Sequence, residues 1–479
     1  MSLKKQTFTG IIWTFADTFF VRGFSFVTMI LLARWIGPTD FGLIGMIAVF
    51  IAVGKTLTDS GLTSSLIRTK KPSQADFSTV FFVNIAMSLI VFFVIFTAAP
   101  VIADFFGYPI LIDIIRVYCV VFIITAFSAV QLAILNKDMK FKKITKINLP
   151  STLIGSAVGL YLGFNGYGVW SIVWMFLTIE SIKASLLWLA SSWKPKAIFS
   201  KAKFKYHYNF GYKLLLSGLL DTVFKNIYNV LIGKFFSAQT LGYYERSKQF
   251  SEYPSATLTG VIGSVTYPML SKIQDDSERL ERVYRKLIRI SFFVIAPLML
   301  GAAAVAEPLF LLILGKEWLP AVLFFQILSL AMMLYPIHAY NLNILKVYGR
   351  SDLFLKLEII KKSITTIAVI VAFQFDVLGL VWASVFTSFA ALGVNMFYAS
   401  KLIKYSIPEQ MKDLVVTLFI ALLMAVAMNT AVQVLSDTAR LIQIAVATII
   451  GISSYLGMNY VIKSSPLHQA ILLLKSRNL

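Results

Sequence analysis

The ionisable side chains inside long apolar segments are the residues best placed to do chemistry, because a charge there is costly unless it is paired or hydrated. Five basic residues stand out: Arg22, Lys55, Arg116, Lys225 and Arg246. A water-filled cavity lined by such cations suits an anionic ligand, and the planar guanidinium of arginine fits phosphate oxygens well. We therefore predict that these five residues line a cationic cavity that binds a phosphate-bearing substrate.

Two acidic residues in the same segments, Asp17 and Asp221, are candidate sites for a coupling ion, either H+ or Na+. No other cofactor and no metal site is expected. Lys183, Lys248, Lys361 and Lys362 also lie in apolar segments. Local pairing, or extension of the ammonium group towards a helix end, is an equally good interpretation for these four lysines.

The elements that carry these residues are membrane-spanning helices. Of the 479 residues, 58% are hydrophobic and only 14% are charged, whereas about a quarter of a soluble chain is charged. The segment 79–103 carries no charged residue. About 20 apolar residues are enough to cross a bilayer as a helix. Because backbone exposed to lipid must form its own hydrogen bonds, the sequence predicts an all-α polytopic membrane protein.

The apolar segments predict fourteen transmembrane helices. Their predicted limits are residues 10–33, 41–64, 78–101, 109–135, 147–165, 168–190, 209–233, 241–267, 288–310, 319–345, 354–374, 377–400, 412–433 and 440–462. The N-terminal apolar run has no cleavage pattern of small residues, so we interpret it as the first of these helices.

Most lysine and arginine residues between the predicted helices fall in one alternating set of loops, which predicts that this side is cytoplasmic and that both termini lie there. Only Arg34, Lys234, Lys316 and Arg440 fall on the opposite side. The net charge of +21 is thus explained by topology and by attraction to anionic lipids, and no nucleic-acid partner is expected. The tail 463–479 is predicted to be an amphipathic helix on the inner leaflet.

An internal repeat relates the two halves of the chain. The stretch LLARWIGPTDFGLIG (31–45) recurs as LIGKFFSAQTLGYYE (231–245), with Gly42 opposite Gly242. Further pairs of stretches follow in the same order, which predicts two parallel six-helix lobes with a binding site between them. Arg34 and Lys234, at equivalent positions of the two turns, are candidate outer-gate residues.

The predicted domains follow from this repeat. The N-terminal lobe covers residues 1–192, a basic cytoplasmic linker 193–206, the C-terminal lobe 207–405, and two additional helices with the tail 406–479.

Motifs for enzymatic chemistry are absent from the sequence. There is no GxxxxGK[ST] phosphate loop, the three histidines have no zinc-binding spacing, and Cys119 is the single cysteine. A membrane-embedded glycosyltransferase or polymerase would need a catalytic carboxylate site and usually a large loop outside the membrane, whereas the longest loops here are short and basic. The chain is therefore not expected to be an enzyme.

Four stretches resemble a known family when they are taken together. They are ARWIGPTDFGLIGM (33–46), DSGLTSSLIRTKKPSQADFSTVFFVN (59–84), GYGVWSIV (166–173) and LGYYERSKQF (241–250). They resemble the polysaccharide transporter family, which contains lipopolysaccharide and capsule flippases, and most of all its branch of colanic acid and teichuronic acid exporters. This family belongs to the multidrug/oligosaccharidyl-lipid/polysaccharide exporter superfamily.

The resemblance implies a flippase of the bacterial inner membrane that works by alternating access. Its implied cargo is an oligosaccharide repeat unit on undecaprenyl pyrophosphate, and its implied partners are membrane lipids, a polysaccharide polymerase and chain-length machinery. A cation-coupled multidrug exporter of the same superfamily is the alternative, although such a protein would favour an acidic cavity.

Overall fold

The computed structural model describes Trp13 and residues 17–469, with the backbone alone at seven positions. Those seven are Thr18, Val261, Ser264, Val265, Tyr267, Pro268 and Ser351. Every regular element in the described part of the chain is helical, which confirms the all-α class. The beginning of the first predicted span and the tail from residue 470 onwards lie outside the described residues.

Within this part of the chain, a π-helical turn at Thr18–Arg22 precedes sixteen helices. They are α1 Gly23–Trp35, α2 Pro38–Asp59, α3 Leu62–Arg68, α4 Gln74–Phe106, α5 Leu111–Lys137, α6 Phe141–Phe164, α7 Val169–Ala190, α8 Lys201–Phe235, α9 Ala238–Lys272, α10 Ser277–Ala304, α11 Ala306–Ile313, α12 Lys316–Val347, α13 Ser351–Ala372, α14 Asp376–Ser400, α15 Ile407–Val434 and α16 Arg440–Val461. Helix α5 is interrupted at Cys119, and α12 at Met333 and Leu334.

Among the described helices, eleven are long and apolar enough to cross a membrane. They are α2, α4 to α8, α10, α12 and α14 to α16. Of the other predicted spans, α1 is described only from Gly23 onwards, after the π turn, and α9 and α13 are long helices that carry several polar and charged residues. The multi-pass character is therefore established, whereas the count of fourteen stays a prediction.

Local sequence explains where several helices begin and end. Ser73 and Asp76 form a capping box at the start of α4, in which each side chain accepts a hydrogen bond from the other residue's backbone amide. Gly107 ends the same helix in the left-handed conformation, with φ +78°. Pro38 at the first position of α2 costs no hydrogen bond, because the first amides of a helix have no partner within it.

The chain forms two compact units, Met1–Glu245 and Arg246–Leu479. In the first unit, α8 packs against α2, α3 and α4, and α1 packs against α6. The predicted lobe limits at residues 192 and 207 remain a prediction.

Small residues bring α6 and α7 close together, since a Cβ on Gly159 would lie only 2.8 Å from that of Met175. Close approach of this kind is the main source of helix association in lipid, where there is little hydrophobic driving force.

The second unit has an aromatic core between α10, α12, α14, α15 and α16. Two buried tyrosine hydroxyls in this core are paired, as the low polarity of a membrane interior favours. The Tyr284 hydroxyl donates to Asn341 Oδ1 at 2.7 Å, and the Tyr455 hydroxyl donates to the Phe293 carbonyl oxygen at 2.8 Å. These bonds join α10 to α12 and to α16.

Candidate functional site

Arg22 is an exposed cation on an irregular segment of helix. It ends the π-helical turn ahead of α1, and among the described residues it forms no ion pair with a carboxylate. Such π turns are rare and recur at functional sites, because they rotate a side chain out of the regular helical register. Arg22 is therefore available to an external anion.

Arg116 lies near the beginning of α5 and is half-buried. Its guanidinium carbon is 5.0 Å from the centre of the Phe96 ring, within range of a cation–π interaction. Its Nε is buried, with no hydrogen-bond partner among the described residues. Arg116 is thus held by an aromatic face and has no neutralising carboxylate in the described chain.

Lys225 differs from the two arginines because it has a carboxylate partner. Its Nζ lies 2.7 Å from Asp221 Oδ2, one turn earlier on α8, and both side chains are well exposed. Next to this pair, the hydroxyl groups of Thr222 and Thr56 are 3.3 Å apart and join α8 to α2. The Asp221–Lys225 pair therefore lies at about the level of Lys55, the residue before Thr56.

Lys55 forms part of a charged triad within the first unit. Glu180 on α7 lies between two ammonium groups, with Oε1 3.7 Å from Lys55 Nζ and Oε2 3.6 Å from Lys183 Nζ. The triad joins α2 to α7. Pairing of Lys183 with Glu180 follows from their spacing on one helix, whereas the approach of Lys55 depends on how the two helices pack.

A polar cavity of 240 Å³ opens next to this triad, between α2, α4, α5 and α7. Its charged and hydrogen-bonding walls include Lys55, Asp59, Asn84, Thr125, Glu180 and Lys183. Asn84 is fully buried, and neither its amide nitrogen nor its amide oxygen has a hydrogen-bond partner in the described chain. We call this space the polar cavity. Sequence reasoning did not find it, since Asn84 is an uncharged residue in an apolar run.

The remaining predicted residues have different surroundings. Asp17, directly before the π-helical turn, accepts a hydrogen bond of 3.0 Å from the Asn148 amide, which joins this turn to α6. Arg246 is the first residue of the second unit and is only 7% exposed.

The two repeated turns lie against each other in the first unit. A Cβ on Gly42 of α2 would overlap the carbonyl oxygen of Ala238, and a Cβ on Gly242 of α9 would overlap that of Pro38. The contact is reciprocal. Gly42 lies four residues after Pro38, which faces Gly242, and Gly242 lies four residues after Ala238, which faces Gly42. We call residues 36–42 and 236–242 the paired turns.

The two candidate gate cations flank the paired turns. Arg34 is exposed in the last turn of α1. Lys234 Nζ donates to the carbonyl oxygen of Phe105 and lies 4.7 Å from the centre of that ring. A lysine at this position is stabilised by the negative end of the α4 dipole. Lys234 thus fastens α8 to the end of α4.

A buried polar cluster joins α8 to α3 and α4 near the opposite end of α8. The ring of His207 is fully buried, with Nδ1 2.8 Å from Ser65 Oγ and Nε2 3.1 Å from Asp76 Oδ1. Lys203 Nζ lies 3.1 Å from the other oxygen of Asp76. We call these four residues the histidine cluster. The sequence showed only that the histidines lack zinc-binding spacing, and it did not reveal these partners of His207, which are 142 and 131 residues away.

In the second unit, Asp413 of α15 binds two arginines of α10. Its oxygens lie 2.6 Å from Arg285 Nε and 2.5 Å from Arg289 Nη2. The Tyr405 hydroxyl donates to the same carboxylate at 2.6 Å, and burial together with this carboxylate raises the pKa of Tyr405. The cluster fixes α15 to α10.

An apolar groove of 470 Å³ runs along the same helices, between α10, α15 and α16. Pro297, Gly301, Ala302, Met424 and Tyr455 are among its walls. A second apolar groove, of 650 Å³, lies between α13 and α14 and includes Ala368 and Trp382.

Comparison with known proteins now adds to this geometry. The family model described as "Polysaccharide biosynthesis protein" matches residues 31–323 of the chain. The chain belongs to this polysaccharide biosynthesis family. The match covers the triad, both paired turns and the polar cavity, so these features lie within the family domain.

Individual proteins agree with the family assignment. The chain is 24% identical to "Lipopolysaccharide biosynthesis protein WzxC" of Escherichia coli (strain K12), over 78% of this chain and 76% of the relative. Among solved structures, the fold is similar to the lipid II flippase MurJ in an inward closed conformation. That likeness has a TM-score of 0.76 and 17% identity, over 94% of this chain and 98% of that one.

The fold is also similar to a multidrug resistance MATE family transporter in an inward-facing conformation. There the TM-score is 0.59 and the identity 17%, over 78% of this chain and 94% of that one. At these identities the two structures show a common fold, and the family membership places the chain in polysaccharide biosynthesis.

Proposed function

We propose that this family member is a flippase that moves a lipid-linked oligosaccharide repeat unit across the bacterial inner membrane by alternating access. The carrier is proposed to be undecaprenyl pyrophosphate, and both termini are proposed to be cytoplasmic. Its relative WzxC is named for lipopolysaccharide biosynthesis, and MurJ for flipping lipid II, which is why a carbohydrate on a lipid carrier is the proposed cargo.

The observation that carries this proposal is the exposed Arg22 on its π turn, with no carboxylate partner in the described chain. A pyrophosphate offers several oxygens to a guanidinium in paired hydrogen bonds. Arg116 is the second such cation. Lys225 already faces a carboxylate, so it is a secondary ligand in this proposal, and Arg246 is kept as a further candidate. Lys55 shares Glu180 with Lys183 and is the weakest of the five candidates for the pyrophosphate.

The apolar groove beside α10, α15 and α16 supports a lipid-linked cargo, because it offers a continuous non-polar surface to a hydrocarbon chain. Hydrocarbon gains little by leaving lipid for such a groove, so it would guide the carrier and contribute little to affinity. In this proposal the paired turns, with Arg34 and Lys234, form the outer gate.

The test is transport of a labelled undecaprenyl-pyrophosphate oligosaccharide in proteoliposomes. We expect Arg22→Ala to slow transport at least tenfold, because a charge-assisted hydrogen bond contributes roughly 1.5–3 kcal/mol. Arg22→Lys should retain part of the rate. The matched control is Arg282→Ala, whose guanidinium lies on the surface 3.6 Å from Glu278. Unchanged transport in Arg22→Ala would count against the proposed role of Arg22.

The likeness to a multidrug transporter favours one second candidate, a cation-coupled drug exporter. That function predicts that deletion makes cells sensitive to organic cations and leaves surface polysaccharide unchanged. The flippase predicts the reverse. Arg22, which has no carboxylate partner among the described residues, disfavours a cationic drug as cargo.

The coupling ion and the protein partners also belong to this proposal. H+ and Na+ are the candidate ions. Asp17 is the better candidate site, since Asp221 is already neutralised by Lys225 at 2.7 Å. A polysaccharide polymerase and chain-length machinery are the proposed partners, and catalysis by the chain itself is not part of the proposal.

A further inference from the structure

The polar cavity has the size of a small ligand site. Its volume of 240 Å³ corresponds to about eight water molecules at roughly 30 Å³ each. Pockets for drug-sized ligands begin at about 300 Å³. The cavity is therefore too small for a whole oligosaccharide but large enough for one sugar ring. The Lys55 side chain is 40% exposed, so this wall is accessible from outside the helix bundle.

The charges around the polar cavity cancel. Lys55 and Lys183 supply two positive charges, and Asp59 and Glu180 supply two negative charges. A charged ligand would leave a net charge within the helix bundle, which costs free energy unless that charge is paired or hydrated. A neutral ligand avoids this penalty, so the charge balance favours an uncharged polar molecule over a phosphate or a metal cation.

The hydrogen-bonding groups are of both kinds and are incompletely used. Asn84 offers an unused donor and an unused acceptor. The Thr58 and Thr125 hydroxyls donate to carbonyl oxygens of their own helices, at 2.9 Å and 2.8 Å, so their lone pairs remain as acceptors. The contacts of Glu180 with the two lysines, at 3.6 Å and 3.7 Å, are longer than a hydrogen bond, so these groups keep donors and acceptors that a ligand could use.

We propose that the polar cavity is a subsite for a single uncharged sugar residue. A ring with neighbouring hydroxyl groups presents donors and acceptors side by side, which matches a wall that carries ammonium, amide and carboxylate groups. The inference rests on the proposed flippase function, because it makes the bound ring one residue of the cargo. Asn84 is the positioning group, with its amide bridging two hydroxyls.

The test is calorimetric titration of the purified chain, in a detergent without a sugar headgroup, with glucose, galactose, fucose and N-acetylglucosamine. Glucuronate, inorganic phosphate and Na+ form the charged series. We expect at least one neutral sugar to bind, and each charged ligand to bind at least tenfold more weakly or not at all. Asn84→Leu should weaken sugar binding at least tenfold.

Gln131→Leu is the matched control, because Gln131 is equally buried, has an amide with no partner in the described chain, and lies outside the walls of the cavity. It should leave sugar binding unchanged. Ala129→Phe fills the cavity without removing a polar group and should also abolish binding. This second variant keeps the subsite testable if Asn84→Leu does not fold.

Absence of binding by every neutral sugar, or equal loss in Gln131→Leu, overturns the subsite. A wild-type chain that transports the cargo but binds no sugar contradicts only the subsite. A chain that binds sugar but transports no lipid-linked cargo contradicts only the flippase.

Discussion

Gly42 and Gly242 are equivalent residues of the internal repeat, and each faces the backbone of the helix that carries the other. The space for a side chain at either position is occupied by a carbonyl oxygen, of Ala238 or of Pro38. This reciprocal contact explains why both copies of the repeat have a glycine at this position. The two helix starts approach so closely that any side chain would separate them.

A first prediction concerns this close approach. Gly42→Ala should destabilise the protein by about 3 kcal/mol, because overpacking against a backbone cannot be relieved by a rotamer change. Gly45→Ala is the control, since its Cβ would meet the flexible Leu241 side chain at 3.1 Å. Thermal unfolding in detergent measures both variants. Equal melting temperatures for the two would contradict the predicted backbone clash.

A second prediction tests the paired turns as an outer gate. Cysteines at Thr39 and Gln239, which flank the contact, should form a disulfide under mild oxidation in a Cys119→Ala background. The crosslink should stop transport, and reduction should restore it, because alternating access requires the gate to open. The two single-cysteine variants are the controls. Full transport by the crosslinked protein would exclude a gate at this position.

The histidine cluster gives a third prediction. His207→Ala removes both hydrogen bonds of the buried ring and leaves Ser65 and Asp76 with unpaired groups. We expect a loss of about 1–3 kcal/mol in the free energy of unfolding. His468→Ala, at an exposed position, should have no effect. The measurement is thermal or denaturant unfolding, and similar stability of both variants would show that the cluster contributes little.

A fourth prediction separates the two apolar grooves. Ala302→Phe should obstruct the groove beside α10, α15 and α16 and reduce transport of the lipid-linked cargo severalfold. Ala368→Phe fills the groove between α13 and α14 and should leave transport unchanged. The proteoliposome assay compares the initial rates of the two variants. The opposite order would move the carrier chain to the second groove.

A fifth prediction concerns ion coupling. Asp17→Asn keeps the size of the side chain but removes its charge. Stimulation of transport by a pH or Na+ gradient should therefore disappear, while the slow rate measured without a gradient remains. Asp221→Asn should retain the stimulation, because Lys225 already neutralises that carboxylate. Selective ionophores in proteoliposomes identify the ion. If Asp17→Asn retains the full stimulation, the coupling site lies elsewhere.

The ion pairs show how far sequence reasoning reaches into the candidate site. Lys361 lies 2.5 Å from Glu358, and Lys183 lies 3.6 Å from Glu180, as the local-pairing interpretation expected from their spacing on one helix. The approach of Lys55 to Glu180 could not be predicted, because it depends on the rotation of α2 against α7. The unused amide of Asn84 could not be predicted from the sequence either, since only the three-dimensional packing shows that it lacks a partner in the described chain.

The sequence by itself determined the helical membrane class, most helix positions and the internal repeat. The bilayer acts on each segment of about 20 residues separately, so hydropathy and loop charge are read locally. Only the tertiary structure decided that the repeated turns touch, that His207 binds Asp76 across 131 residues, and that a neutral polar cavity lies among charged helices. Those features depend on the rotation and depth at which helices pack, which are set by all their neighbours together.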